Sequence, residues 1–178
     1  MNKSVILGLM SFSLFLNTDV IARVEINKEM HPEKIIFLMD EALENDDFSY
    51  AMQLMARFTI RVAMDAKCCK DLSAGAAMDM LTIRLTIRQM TNPKFAGIRQ
   101  HVSEKEIKTI VHEELSLVEK ELNENNLPNP RWIAQYGMNK YFGDSSEKEL
   151  FLSMVQCHEE QRKILAAMKE SLEKSSNE

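Results

Sequence analysis

The scarcity of turn-forming residues is the feature that most limits what this chain can fold into. Only 5 glycines and 4 prolines occur among its 178 residues. Sheet proteins with many tight turns generally use more of both, whereas long helices joined by few loops need little of either. Hydrophobic residues make up 45% of the chain and charged residues 28%, which is typical of a globular protein. We therefore predict an all-α protein, a single-domain helical bundle of five or six helices.

Residues 1–22 have the pattern of a signal peptide. Lys3 provides a positive start, the run from Val5 to Leu16 is largely apolar, and Ala22 is a small residue at the expected cleavage site. A helix that spans a bilayer needs about 20 apolar residues, so this run is too short for an anchor. The alternative is a buried first helix.

This pattern predicts how the chain is organised and where it is found. We expect a cleaved signal at 1–22, followed by a helical domain at 23–178 that has no transmembrane segment and frays at 174–178. The protein is then exported to a periplasmic or extracellular space, and the short signal favours a bacterial source.

Charge is distributed unevenly along the chain. The formal net charge is −5, but residues 51–100 carry a net +5 and are flanked by two segments, 23–50 and 101–178, that each carry −5. One interpretation is that these segments pack together and neutralise one another. The other is that the basic middle forms a positive surface that attracts an anionic partner. A sequence pI near 5.5 argues against general nucleic-acid binding.

Three cysteines, Cys68, Cys69 and Cys157, leave an odd thiol in an exported protein. Neighbouring cysteines rarely bridge each other, because the ring that they would close is strained. We predict that Cys68 or Cys69 pairs with Cys157. The remaining cysteine is then buried or links two chains.

Helix start and stop signals divide the rest of the chain. The predicted helices cover about 33–44, 48–67, 103–122 and 129–140, and the longest begins at 146 and ends near 173. Asp46 or Asp47 caps the second helix, and capping boxes open those at Ser103 and Ser146. Residues 94–102 are predicted to be a connector. The longest helix carries a coiled-coil-like seam, made of Leu150, Met154, Cys157, Gln161, Ile164 and Met168.

Residues 81–88, with the sequence LTIRLTIR, are ambiguous. Strict alternation of apolar and polar residues is typical of a half-buried strand. The segment is nevertheless continuous with residues that favour helix, and turn residues do not bound it on both sides. We predict a helix, in which Met80, Ile83 or Arg84, Ile87 and Met90 share one side.

Two arginine pairs are the candidate binding site. Arg57 and Arg61 are four residues apart, as are Arg84 and Arg88, so each pair projects from one face of its helix. Two such helices side by side would present four guanidinium groups, which suit the capture of phosphate or carboxylate. The alternative is that the acidic helices already neutralise all four.

Aromatic residues concentrate in the segment 131–143, where Trp132, Tyr136 and Tyr141 form a candidate protein-contact surface. The alternative is a small helix whose rings cover the end of the bundle.

The chain carries no catalytic or metal-binding signature and implies no cofactor. His112 and His158 each begin a His-Glu-Glu tripeptide, but a zinc protease needs a second histidine four residues later, and neither has one. His158 and Glu113 could form a site only if their helices met. Met52 and Met55 have the thioether spacing of cuprous-ion carriers, although methionine is also a pliable core filler.

These observations favour a non-enzymatic binding protein that uses a basic face to contact an anionic partner. That partner is a phosphorylated lipid headgroup, a phosphate-bearing ligand or an acidic protein patch. One rival hypothesis is an exported enzyme whose groups converge around His112 or His158. Another is an adaptor subunit, for example a homodimer, that assembles through its last helix and the aromatic segment.

Overall fold

The computed structural model describes residues 24, 30–70, 74–124, 133 and 151–176, and all the helices and strands assigned in this part of the chain are α-helices. The prediction of an all-α bundle is confirmed. The six helices of the described residues are α1 (Pro32–Glu44), α2 (Phe48–Ala66), α3 (Ala74–Thr91), α4 (Lys94–His101), α5 (Glu104–Asn123) and α6 (Met154–Ser176). The ambiguous segment 81–88 lies within α3, so the helical interpretation is correct.

Local signals explain where three of these helices begin. His31 precedes Pro32, and its Nδ1 accepts a hydrogen bond from the Glu33 amide at 3.1 Å. Burial and the nearby Arg61 and Arg84 lower the pKa of His31, which keeps the ring neutral and able to accept. Asp47 caps α2 by accepting from the Tyr50 amide, and Ser103 caps α5 by accepting from the Glu106 amide.

Two predictions about helix boundaries were wrong. Residues 94–102, which we predicted to be a connector, contain α4. The last helix begins at Met154 rather than at 146, because Phe151 pairs with Cys69 in an isolated antiparallel bridge and Ser153 then caps α6. The helix predicted at 129–140 lies outside the described residues except for Ile133, which is buried.

Helix α2 lies at the centre of the bundle and packs against α1, α3, α4, α5 and α6. It therefore contributes to two apolar clusters. The first joins α1, α2, α3 and α4, and Leu54 and Phe58 of α2 lie in it. The second joins α2, α5 and α6, and Ile60 and Met64 of α2 lie in it. Because α2 is surrounded, even its charged side chains are buried.

A disulfide between Cys68 and Cys157 ties the end of α2 to the first turn of α6. One of the two predicted pairings is thereby confirmed. Cys69 does not take part in the disulfide, and its side chain is half-buried. The Leu152 amide also donates to the Cys68 carbonyl at 2.8 Å, so backbone and side chain fix the same junction.

The predicted seam on α6 is only partly confirmed. Cys157 and Gln161 are buried, and Ile164 and Met168 pack against the second cluster. Met154 is 72% exposed, and Leu150 lies outside the described residues.

Candidate functional site

The structure does not bring the four predicted arginines to one surface. The side chains of Arg57 and Arg61 are 7% and 6% exposed, whereas those of Arg84 and Arg88 are 47% and 58% exposed. The spacing of four does place each pair along one helix. The two pairs differ because α2 is surrounded by other helices, whereas α3 lies at the edge of the bundle.

The buried pair neutralises carboxylates inside the bundle. Arg57 Nε lies 2.7 Å from Glu114 Oε2, and Arg57 Nη1 lies 2.9 Å from Glu121 Oε2. Gln53 donates to the other oxygen of Glu114 at 2.8 Å. These contacts join α2 to α5, so the guanidinium group of Arg57 has a structural role.

Arg61 is similarly enclosed. Its Nε lies 3.5 Å from Asp65 Oδ2, one turn further along α2. Burial lowers the pKa of Arg61, and the neighbouring Asp65 carboxylate opposes that shift.

The exposed pair connects α3 to α1. Arg84 forms an ion pair with Glu33, and Arg88 Nη1 lies 3.0 Å from Asp40 Oδ2. Burial raises the pKa of Asp40, while the charge of Arg88 acts in the opposite direction. A cavity of about 430 Å³ separates these two ion pairs, and Phe37 and the aliphatic side chains of α1 and α3 line it.

Four of these five ion pairs link the basic middle of the chain to an acidic flanking segment. Glu33 and Asp40 belong to the first acidic segment, and Glu114 and Glu121 belong to the second. The interpretation in which the segments pack together and neutralise one another therefore describes much of the charge pattern. Of the two arginine pairs, the one on α3 combines this role with access to solvent.

The outer face of α3 exposes four large apolar side chains. Met80, Ile83, Ile87 and Met90 are 47%, 56%, 53% and 82% exposed. They lie three or four residues apart and form one stripe. Arg84 and Arg88 flank this stripe on the side of α1. We call these six residues the α3 outer face.

Helix α3 is thus apolar on two opposite sides. Leu81 and Leu85 are buried against the bundle, at 0% and 7% exposure, whereas the stripe points away from it. The sequence grouped the stripe residues correctly, but it did not reveal which apolar side is buried. The two-residue alternation of 81–88 was the available signal, since in a helix it places apolar residues on two opposite sides.

The structure does not bring His158 and Glu113 together. His112 lines an open cavity of about 990 Å³ between the start of α5 and the end of α6, together with Glu104, Lys169 and Glu173. Lys169 of α6 lies 2.6 Å from Glu119 of α5, and the start of α5 lies beside the end of α6, so the two helices are antiparallel. At 1.5 Å per residue, His158 and Glu113 are about 25 Å apart along the helix axes. No group of three or more metal-ligating His, Cys, Asp or Glu side chains occurs among the described residues.

The other predicted features fall partly outside the structure. Trp132, Tyr136 and Tyr141, like the signal at 1–22, lie outside the described residues. Within the helices that the structure does describe, none has the length and apolar character needed to cross a bilayer.

Comparisons with protein-family models, with curated proteins and with solved structures give no match to this chain.

Proposed function

We propose that this chain is an exported, non-enzymatic helical protein that binds an acidic surface of another protein through the α3 outer face. The observation that carries the proposal is the exposed apolar stripe of α3 with two guanidinium groups beside it. Monomeric proteins rarely leave such contiguous apolar surface exposed unless a partner covers it.

The composition of this face supports a protein partner. Protein interfaces are enriched in methionine and arginine and depleted in lysine and glutamate. The α3 outer face contains two methionines and two arginines and has no lysine or glutamate. Arginine also presents five N–H donors in a rigid fork, so a guanidinium group that holds one carboxylate can bind a second.

A membrane surface fits these observations less well. Helices that lie on anionic membranes carry a strongly basic polar face. The polar part of the α3 outer face consists of Arg84 and Arg88, and each has a carboxylate of α1 beside it.

Export is supported by the signal-like segment 1–22 and by the Cys68–Cys157 disulfide, because structural disulfides persist mainly in oxidising compartments. The proposed single domain is supported by α2, which contributes to both apolar clusters.

Site-specific photo-crosslinking tests the proposed surface. A photoreactive amino acid replaces Ile87 in the stripe, and in a control chain it replaces Ser116, which is exposed on α5. In the cells that produce the protein, we expect position 87 but not position 116 to crosslink reproducibly to one other protein.

The identified protein is then purified and its binding is measured with Arg84→Glu combined with Arg88→Glu. Loss of binding with unchanged helicity is the expected result. Equal crosslinking at both positions, or products only with lipid or a second copy of the chain, would overturn the proposed partner.

A further inference from the structure

A second surface of the bundle, distinct from the α3 outer face, is a groove whose floor is α2. Helix α3 packs against α2 from one side, while α5 and α6 pack against α2 and against each other from another side. Met52 and Ile60 of α2 therefore remain at the bottom of a groove, with Leu85 of α3 on one wall and Leu115 of α5 on the other.

The volume of this groove decides what kind of ligand it suits. It is about 440 Å³, within the range of pockets that hold small organic molecules. A single cuprous ion would fill only a small part of it, although Met52, Met55 and Met168 all line the groove. Thioether side chains also form soft, pliable walls that adapt to apolar ligands, which is the better account of these three methionines.

The lining of the groove also restricts the charge of a ligand. Among the residues that the structure describes, none of the side chains that line it is charged, and the polar ones are Thr59, Gln89 and Ser171. All three are exposed, so they lie where the groove opens to solvent. The Gln89 amide is held there by its contact with Met55, because its Nε2 lies 3.5 Å from the thioether sulfur.

We propose that this groove binds a single-chain neutral lipid of the monoacylglycerol class. The acyl chain lies on the apolar floor of α2, and the hydroxyl and ester groups meet Thr59, Gln89 and Ser171 at the opening. The carboxylate of a fatty acid at the same opening would find no cationic partner among the described side chains that line the groove, whereas the hydroxyl and ester groups of a monoacylglycerol can pair with these three residues.

Calorimetric titration of the purified, disulfide-bonded chain tests the proposal. The probes are a medium-chain monoacylglycerol and the fatty acid of the same chain length, both below their aggregation concentrations. We expect saturable binding of one monoacylglycerol per chain, with an affinity at least about tenfold higher than that for the fatty acid.

Two tryptophan variants provide a matched comparison. In Thr59 and in Ser116 the hydroxyl donates to the carbonyl four residues earlier at 2.9 Å, and both residues are exposed, but only Thr59 lines the groove. Thr59→Trp should weaken monoacylglycerol binding about tenfold or more, whereas Ser116→Trp should change it by less than about twofold.

A third variant separates the head-group contacts from groove blockage. Gln89→Leu keeps the groove open and removes the amide, so it should reduce the preference for the monoacylglycerol over the fatty acid.

Absence of saturable binding to the unmodified chain, tighter binding of the fatty acid, or equal weakening by Thr59→Trp and Ser116→Trp would each overturn the proposal. Arg84→Glu with Arg88→Glu should leave lipid binding intact, which separates this test from that of the protein partner.

Discussion

The arginines of this chain have different energetic roles because their surroundings differ. The side chain of Arg57 is 7% exposed and contacts two carboxylates of α5, whereas that of Arg84 is 47% exposed and pairs with Glu33. Removing one partner of a buried ion pair leaves a charge without compensation in a medium of low polarity. When one partner of an exposed pair is removed, water hydrates the charge that remains, so little stability is lost.

We therefore expect Arg57→Gln to lower the free energy of unfolding by about 3–5 kcal/mol. Arg84→Gln, the matched control, should lower it by less than about 1 kcal/mol. Urea unfolding followed by far-ultraviolet circular dichroism measures both values. Similar losses for the two variants would show that burial of Arg57 does not govern its contribution.

At the scale of single helices, the sequence predicted those whose ends are set by local chemistry. Helices α1, α2 and α5 begin at His31–Pro32, Asp47 and Ser103, where a side chain satisfies a backbone amide within three residues. Such contacts can be read from neighbouring residues alone. The strand-like alternation at 81–88 was interpreted correctly because the residues around it favour helix.

Features that depend on distant contacts were harder to predict. Helix α4 is short, contains Gly97 and buries only Phe95 and Ile98, so its own sequence gives a weak helical signal. The positions of Arg57 and Arg61 depend on α2 being surrounded by other helices, which their spacing does not encode. The sequence indicated that the acidic and basic segments could neutralise one another, but not which arginines would stay exposed.

Gly97 allows α4 to approach α2 closely. A Cβ atom added at Gly97 would lie 2.7 Å from the Cε1 atom of Phe48, whose ring is stacked on His101 with centroids 4.5 Å apart. In an unobstructed helix, replacing glycine with alanine stabilises by about 1 kcal/mol. Overpacking costs about 1–3 kcal/mol, so we expect Gly97→Ala to lower the free energy of unfolding.

The background variant Phe48→Leu tests this explanation. With the ring removed, Gly97→Ala should become stabilising, because only the helical preference of alanine remains. Thermal unfolding of the unmodified chain, Gly97→Ala, Phe48→Leu and the double variant gives the coupling free energy between the two positions. Stabilisation by Gly97→Ala in the presence of Phe48 would contradict the steric argument.

At the scale of the whole molecule, α2 connects two apolar clusters and the disulfide fastens α6 to the end of α2. The cystine joins residues 89 positions apart. Closing a loop of that length removes conformational freedom from the unfolded chain, and on the chain-entropy account this stabilises the folded state by about 3–5 kcal/mol. We expect Cys157→Ser to lower the free energy of unfolding by a similar amount.

Cys69→Ser is the matched control, since it removes a cysteine of the same junction and leaves the disulfide in place. It should change the free energy of unfolding by less than about 0.5 kcal/mol. Cys157→Ser is a cleaner test than Cys68→Ser, because loss of Cys68 would leave Cys69 next to it as a substitute partner.

Because Ile60 and Met64 still bind α6 to α2 through the second cluster, unfolding of Cys157→Ser should remain a single transition. Urea curves from circular dichroism and from proteolysis at α6 should therefore coincide, and cleavage at α6 before helicity falls would show that the disulfide alone holds that helix.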